Sequence, residues 1–242
     1  MIQAIILLIL FILFLLLTFP LVLIGFLVGG FSMKLRYKIS HFIGVLAGTL
    51  LFIVTRSKVE VKGLENIPLN TGKGYLFVGN HKSAMDIPLL AKYIPFPIAF
   101  IAKASLKKVP FISQVMILMD CLFLQREDVR QAVEIIKAGV KKLQRGESLV
   151  IFPEGTRSRG EALLSFKQGS LKLAEKSNSP IIPFALKGTE DLYGKNGYKV
   201  RSARIQLSFA APIYLDTLND EDKKKSAQYV QQIVQQMYSE MG

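Results

Sequence analysis

The first 33 residues carry no charged side chain, and from Ile5 to Leu17 they are almost unbroken in their apolarity. A helix packed on a water-soluble core keeps a polar face, and this segment has none. A cleaved secretory leader would begin with basic residues and pass from a shorter apolar run to small residues at a cleavage site. Neither feature is present, so the segment reads as an uncleaved membrane anchor. Pro20 sits mid-segment and predicts a kink or break. A second apolar stretch, Ile39 to Thr55, contains Gly44 and Gly48, small residues suited to close packing on the first segment. As a helix it reaches about 26 Å, short of a hydrocarbon core of about 30 Å.

The charges add a direction. Lys34, Arg36 and Lys38 lie in the linker Ser32 to Ser40, and with Arg56 they are the only charged side chains in residues 1–57. Arg56, Lys58 and Lys62 follow the second stretch. Basic residues beside membrane segments favour the cytoplasmic side. Both clusters lie there if the two segments form a hairpin that enters and leaves by one face; the alternative is a single crossing by the first segment, which alone is long enough to span. The expectation is therefore a hydrophobic anchor at 1–57, on the cytoplasmic face of the cell membrane, and a second unit at 58–242. That unit carries 27 basic against 18 acidic side chains, within a formal net charge of +13. Such an excess suits nucleic acid, anionic lipid or phosphorylated substrates. With an anchor and no nucleic-acid motif, nucleic acid is set aside as a partner. Cys121 is the single cysteine, so no intrachain disulfide forms, as suits a reducing compartment.

Beyond the anchor, short apolar runs alternate with amphipathic stretches, the pattern of an α/β domain. Strands are predicted at Val59–Val61, Tyr75–Val78, Ile98–Ile101, Cys121–Leu124, Leu149–Phe152, Ile181–Ala185 and Arg204–Phe209. A helix is predicted after Asp128, with apolar residues at Val129, Val133, Ile136, Val140 and Leu143. Asp128 and Gln131 make a capping pattern, and Gly146 stands where a C-terminal glycine belongs. A last helix is predicted over Glu221–Met237.

Two constellations carry chemistry. His81 follows the strand ending at Val78, and Asp86 lies five residues on. A carboxylate on one ring nitrogen fixes the tautomer and stabilises the imidazolium formed when the other nitrogen takes a proton. Residues five apart do not share a helix face, so His81 is placed just before a helix and Asp86 near its first turn. Either Pro88 is the first helical residue or Ser83 the cap. The second constellation, Phe152-Pro153-Glu154-Gly155-Thr156-Arg157-Ser158, also follows a strand. Gly155 allows close backbone approach, Thr156 offers a hydroxyl, and Arg157 a planar fork for phosphate. Glu154 repels phosphate and is better suited to orienting an arginine or a substrate hydroxyl. Lys167 adds a cation downstream. His41 lies in the anchor and reads as a packing or interfacial residue. Two histidines and one cysteine, widely spaced, form no metal site.

These residues carry a resemblance. His81 and Asp86 match the H-x4-D motif of the glycerolipid acyltransferases, and Phe152–Ser158 match their F-P-E-G-T-R-S block without departure. Leu122-Phe123-Leu124-Gln125-Arg126 resembles their second block, a glycine and two variable residues before F-I-D-R, with Asp120 in place of the glycine and Gln125 in place of the acid. Ile181-Ile182-Pro183-Phe184-Ala185 looks like the fourth. The blocks occur in family order between Asn80 and Ala185.

The resemblance implies a single acyltransferase domain with a central mixed sheet flanked by helices, monomeric and without cofactor or metal. It implies transfer of a fatty acyl group from a thioester, of acyl carrier protein or coenzyme A, to the 2-hydroxyl of lysophosphatidate, with phosphatidate as product. Other acceptors fit the same motifs: glycerol 3-phosphate, another lysophospholipid or a lyso-ornithine lipid. His81 is then the base and Asp86 its orienting partner, attack being direct; Ser83 and Cys121 are the alternatives for a covalent route. Arg126, Arg157 and Lys167 would hold the acceptor phosphate, and Lys103 or a backbone amide near Gly155 the thioester oxyanion.

Overall fold

The structure is a computed structural model describing residues 2–69, 72–125, 128–158, 160, 162–194 and 199–242, with the side chains of 2–11 and 129 not included. Two helices come first, α1 (Ile2–Gly29) and α2 (Met33–Val54), then strand β1 (Lys58–Lys62). They are followed by β2 (Leu76–Gly79), α3 (Asp86–Tyr93), β3 (Ile98–Lys103), α4 (Ile112–Leu118), β4 (Leu122–Leu124), α5 (Val129–Gln144) and β5 (Ser148–Ile151). The chain ends with α6 (Lys172–Ser177), β6 (Ile181–Lys187), α7 (Thr189–Leu192), β7 (Arg204–Phe209), α8 (Asp220–Lys224) and α9 (Ser226–Ser239).

The strands form one seven-stranded sheet in the order β1-β7-β6-β2-β5-β3-β4. Every pairing is parallel except β6 with β7. The sheet is mixed, as the resemblance implied, and all seven expected strands are present within about two residues. Strands buried on both faces are apolar throughout, and β2 and β5 have no exposed residue. β2 lies in the middle of the order, so its carboxyl end opens on the centre of one sheet edge. The carboxyl ends of β5 and β3 share that edge, the usual place for a ligand in an open α/β sheet.

Helix signals held where side chains cap the ends. The Asp128 carboxylate accepts from Gln131 N at 3.0 Å and starts α5, and Gly146 is left-handed at φ 87° just beyond it. The last helix, expected unbroken, is divided at Lys225 into α8 and α9. There the Gln168 side chain accepts from Ala227 N at 3.1 Å and donates to Ser226 Oγ at 2.9 Å, so α9 is capped from outside.

The two N-terminal helices depart from expectation in three ways. α1 continues through Pro20; one missing N–H leaves the rest of a long ladder intact. α2 begins at Met33, because Ser32 Oγ accepts from Leu35 N at 3.3 Å. The basic linker is thus the first turns of α2, whose 22 residues give about 33 Å, so shortness no longer argues against a span. By length and composition both helices are apolar enough to cross a membrane. Finally, Gly44 and Gly48 face α3 and not α1. A Cβ at Gly44 would lie 3.0 Å from Ala91 Cβ, and one at Gly48 2.5 Å from Pro88 O, both on α3. α2 is also fastened at its start. Arg36 donates to the carbonyls of Ile117 and Leu118. Tyr37 reaches Asp120 at 3.0 Å and Glu147 at 3.1 Å, beside the buried Lys142 ammonium that pairs with both acids. From Ile12 onward α1, by contrast, leaves most of its apolar surface open, with Leu16, Leu17 and Leu27 all more than 60% exposed.

Candidate active site

Gly79 ends β2 where a Cβ would meet Phe184 O at 2.3 Å, so only glycine lets β2 leave so close to β6. Asn80 then pairs both ways with the Leu186 backbone, at 2.8 and 2.9 Å, and ties the turn to β6. The next residue is His81. Its Nδ1 lies 2.7 Å from Asp86 Oδ2. The same oxygen accepts from Lys82 N at 2.8 Å and Ser83 N at 3.0 Å. Asp86 Oδ1 accepts from the Thr189 hydroxyl. Asp86 is fully buried, whereas the His81 side chain is 16% exposed. A carboxylate with four donors has one orientation, and so does the ring it holds. With Nδ1–H given to Asp86, the Nε2 lone pair is available as base. The ring also stacks on Phe152 at 4.1 Å, which blocks its rotation.

Asp86 is itself the first residue of α3, with Met85 before it as cap, so neither Pro88 nor Ser83 starts this helix. Ser83 Oγ donates to Tyr193 O at 2.6 Å and is buried, which turns it from the ring nitrogen. Cys121 is buried too. Desolvation pushes its thiol up to about 12, outweighing the amide of Phe100 that approaches its sulfur at 3.3 Å. A thiol so buried and so raised is a poor nucleophile.

The block after β5 is braced against His81. Glu154 Oε1 accepts from His81 N at 2.9 Å, and Oε2 from Leu164 N at 3.0 Å. Ser158 N and Oγ donate to His81 O at 2.8 and 3.2 Å. Glu154 is buried, and desolvation raises its pKa despite the two amides. Its oxygens therefore go to backbone, not to an arginine or substrate as the sequence suggested. Gly155 adopts φ 72°, a conformation glycine takes without strain. Its own amide donates to Phe152 O at 3.0 Å and is thereby committed, so the expected oxyanion donors are Lys103 or a neighbouring amide of this turn. Around this turn Thr156 and Arg157 are exposed. Lys167 joins them: its Nζ would lie 3.1 Å from a Cβ on Gly155. Lys103, also exposed, ends β3 on the same sheet edge. Arg126 lies outside the described residues.

Four supporting residues went unread in the sequence. Lys82 is buried 3% exposed, donates to Gly160 O at 2.7 Å and stands 4.8 Å over the Tyr238 ring. Phe152 and Ser158 sit inside the quoted block but announce no role there. Thr189 is 103 residues from Asp86, and nothing near it signals the contact. No cluster of metal-binding side chains occurs among the described residues.

The family model described as Acyltransferase matches residues 58–187, from β1 through β6. The chain belongs to the acyltransferase family. A Borreliella burgdorferi acyltransferase, a 1-acyl-sn-glycerol-3-phosphate acyltransferase, is 39% identical over 140 residues, 57% of this chain and 55% of that protein. Those of Helicobacter pylori and, with the description "probable", Mycoplasma pneumoniae are 35% and 30% identical. They align with 62% and 79% of this chain and with 67% and 75% of their own. The chain thus spans little more than half the length of the first relative. The crystal structure of the Thermotoga maritima 1-acyl-sn-glycerophosphate acyltransferase PlsC superposes with a TM-score of 0.71 at 26% identity, covering 93% of this chain and 97% of that one. This acyltransferase fold therefore includes α1 and α2 as well as the sheet.

Proposed function

We propose that this chain transfers a fatty acyl group from a soluble thioester to the 2-hydroxyl of lysophosphatidate, yielding phosphatidate. The relatives' names support the acceptor, and the observation that carries the chemistry is the His81–Asp86 contact of 2.7 Å on the sheet edge shared with the Gly155 turn. An alcohol attacks a thioester readily only as a base removes its proton. His81 Nε2 takes that proton while the hydroxyl oxygen bonds to the carbonyl carbon. The oxyanion so formed collapses, the carbon–sulfur bond breaks, and the departing thiolate recovers the proton from the imidazolium. Lys103 faces the oxyanion, and Arg157 with Lys167 holds the phosphate of the acceptor.

The membrane supplies that acceptor. Residues 1–57 act as anchor and 58–242 as the catalytic unit, at the cytoplasmic face. α2 is fastened to the catalytic unit at Arg36 and Tyr37, along Gly44 and Gly48, and where it enters β1. A helix so held cannot cross a bilayer without drawing the domain in with it. α1 alone faces lipid broadly, and the pair forms a hairpin seated in one leaflet.

The test is a product assay by mass, with purified enzyme in vesicles, either donor, and lysophosphatidate, glycerol 3-phosphate, lysophosphatidylcholine or lyso-ornithine lipid as acceptor. Phosphatidate should be the main product. Arg157→Ala should raise the apparent KM for lysophosphatidate about tenfold or more, since a charged hydrogen bond contributes about 1.5–3 kcal/mol, and leave that for the thioester near its original value. Preference for another acceptor, or a defect confined to the thioester, contradicts the assignment.

A further inference from the structure

α4 has no part in the chemistry above, yet it is built into the anchor. Val22 of α1, Ile43 of α2 and Leu118 of α4 form a small buried cluster separate from the main core. Leu118 fills the space over Gly25, where a Cβ would lie 2.7 Å from its methyl. The outer side of α4 with its cap residue is open and mostly apolar: Phe111 is 40%, Ile112 41% and Ile117 42% exposed, with the exposed Gln114 among them. This surface is continuous with that of α1, because the Phe111 ring meets Phe19 edge-on at 6.0 Å. An unusual backbone presents it. Phe111 has φ 62° and ψ −47°, and Ile112 N donates to Pro110 O at 2.7 Å, a γ-turn of the rare, strained kind. Strain persists where surrounding structure enforces it, and it favours a functional reading of the ring it holds out. Just before it, the turn Ala104–Lys108 carries exposed Lys107 and Lys108.

We propose that the turn Ala104–Lys108 and α4 form a second membrane contact, with Phe111, Ile112 and Ile117 in the acyl region and Lys107 and Lys108 on anionic headgroups. The inference rests on the reading of α1 as a lipid-embedded anchor. Continuity with α1 and the paired lysines select the bilayer as occupant. Since the turn follows Lys103 at the carboxyl end of β3, this contact tips the His81 edge of the sheet towards the lipid surface. Lysophosphatidate then reaches the site without leaving the interface.

The chain has no tryptophan, so a single one reports its own surroundings. The full chain carrying I112W is reconstituted in vesicles of phosphatidylglycerol and phosphatidylcholine in equal parts, the latter brominated in its acyl chains. L27W on α1 marks the anchor, and Y214W marks the opposite sheet edge, beside the Ile213–Ile181 bridge at the start of β6. L27W and I112W should both lose most of their emission to bromine and resist aqueous iodide, while Y214W does the reverse. K107Q/K108Q should lessen the quenching of I112W, and vesicles without phosphatidylglycerol should do the same. If L27W is quenched and I112W stays open to iodide, the second contact is refuted and the anchor stands. If L27W is not quenched, the anchor reading fails and this inference falls with it. Equal quenching of Y214W overturns it, because no particular face is then seated. So does shielding of I112W only when acyl carrier protein is added, which assigns the face to the donor.

Discussion

At the scale of single residues, the Asp86 carboxylate divides its two oxygens between two duties. Oδ2 faces His81 and two backbone amides, and Oδ1 is held by Thr189. Removing the Thr189 hydroxyl leaves a buried carboxylate oxygen without that donor, and the ring loses part of its alignment. Thr189→Val is expected to lower kcat by about tenfold to a hundredfold, at a cost of about 1–3 kcal/mol, with both KM values little changed. Thr189→Ser should restore most of the rate. A KM defect, or a serine variant as slow as the valine one, points to a merely structural role. His81 and Asp86 were legible in the sequence because their spacing is local; Thr189 was not, because only the fold brings it there. Asp120 shows a middle case. It replaces the glycine of the family pattern yet keeps φ at 59°, a conformation suited to glycine, and its carboxylate is held by Lys142 and Tyr37. The substitution was readable, its compensation was not.

Elements were legible where one short pattern decides them. The strands stood out as apolar runs, and α5 as a capped, periodic stretch. α2 was less legible, because its lysines and arginine have the composition of a linker, yet Ser32 caps a helix that contains them. The faces of its glycines were beyond reach, since sequence alone cannot choose between α1 and α3 as partner. The choice can be tested. Gly48→Ala places a methyl 2.5 Å from Pro88 O and 2.8 Å from Lys92 Cβ. Overpacking of this kind costs about 1–3 kcal/mol, against a gain in helix propensity of up to about 1 kcal/mol. The denaturant midpoint in detergent should fall, whereas Gly169→Ala, with nothing within 4 Å, should leave it unchanged. A Gly48→Ala midpoint at or above the original would show that α2 does not sit on α3 so closely.

For the whole molecule, α2 packs on both α1 and α3, and so joins the two N-terminal helices to the sheet edge that carries His81. Topology follows: cysteines placed at Ser32 and Ser57, in a Cys121→Ala background, should resist a membrane-impermeant thiol reagent on intact cells and react once the cells are opened. Labelling of either from outside would place a part of the hairpin across the bilayer. That His81, held by Asp86, is the base for acyl transfer to lysophosphatidate is the proposal on which the chemistry rests. It is met most directly by the rate of phosphatidate formation in vesicles for purified wild-type and His81→Ala enzyme, with folding checked by circular dichroism. Loss of a general base should slow turnover about a hundredfold to ten-thousandfold while the variant stays folded and membrane-bound. A folded His81→Ala enzyme that makes phosphatidate at near wild-type rate would contradict it.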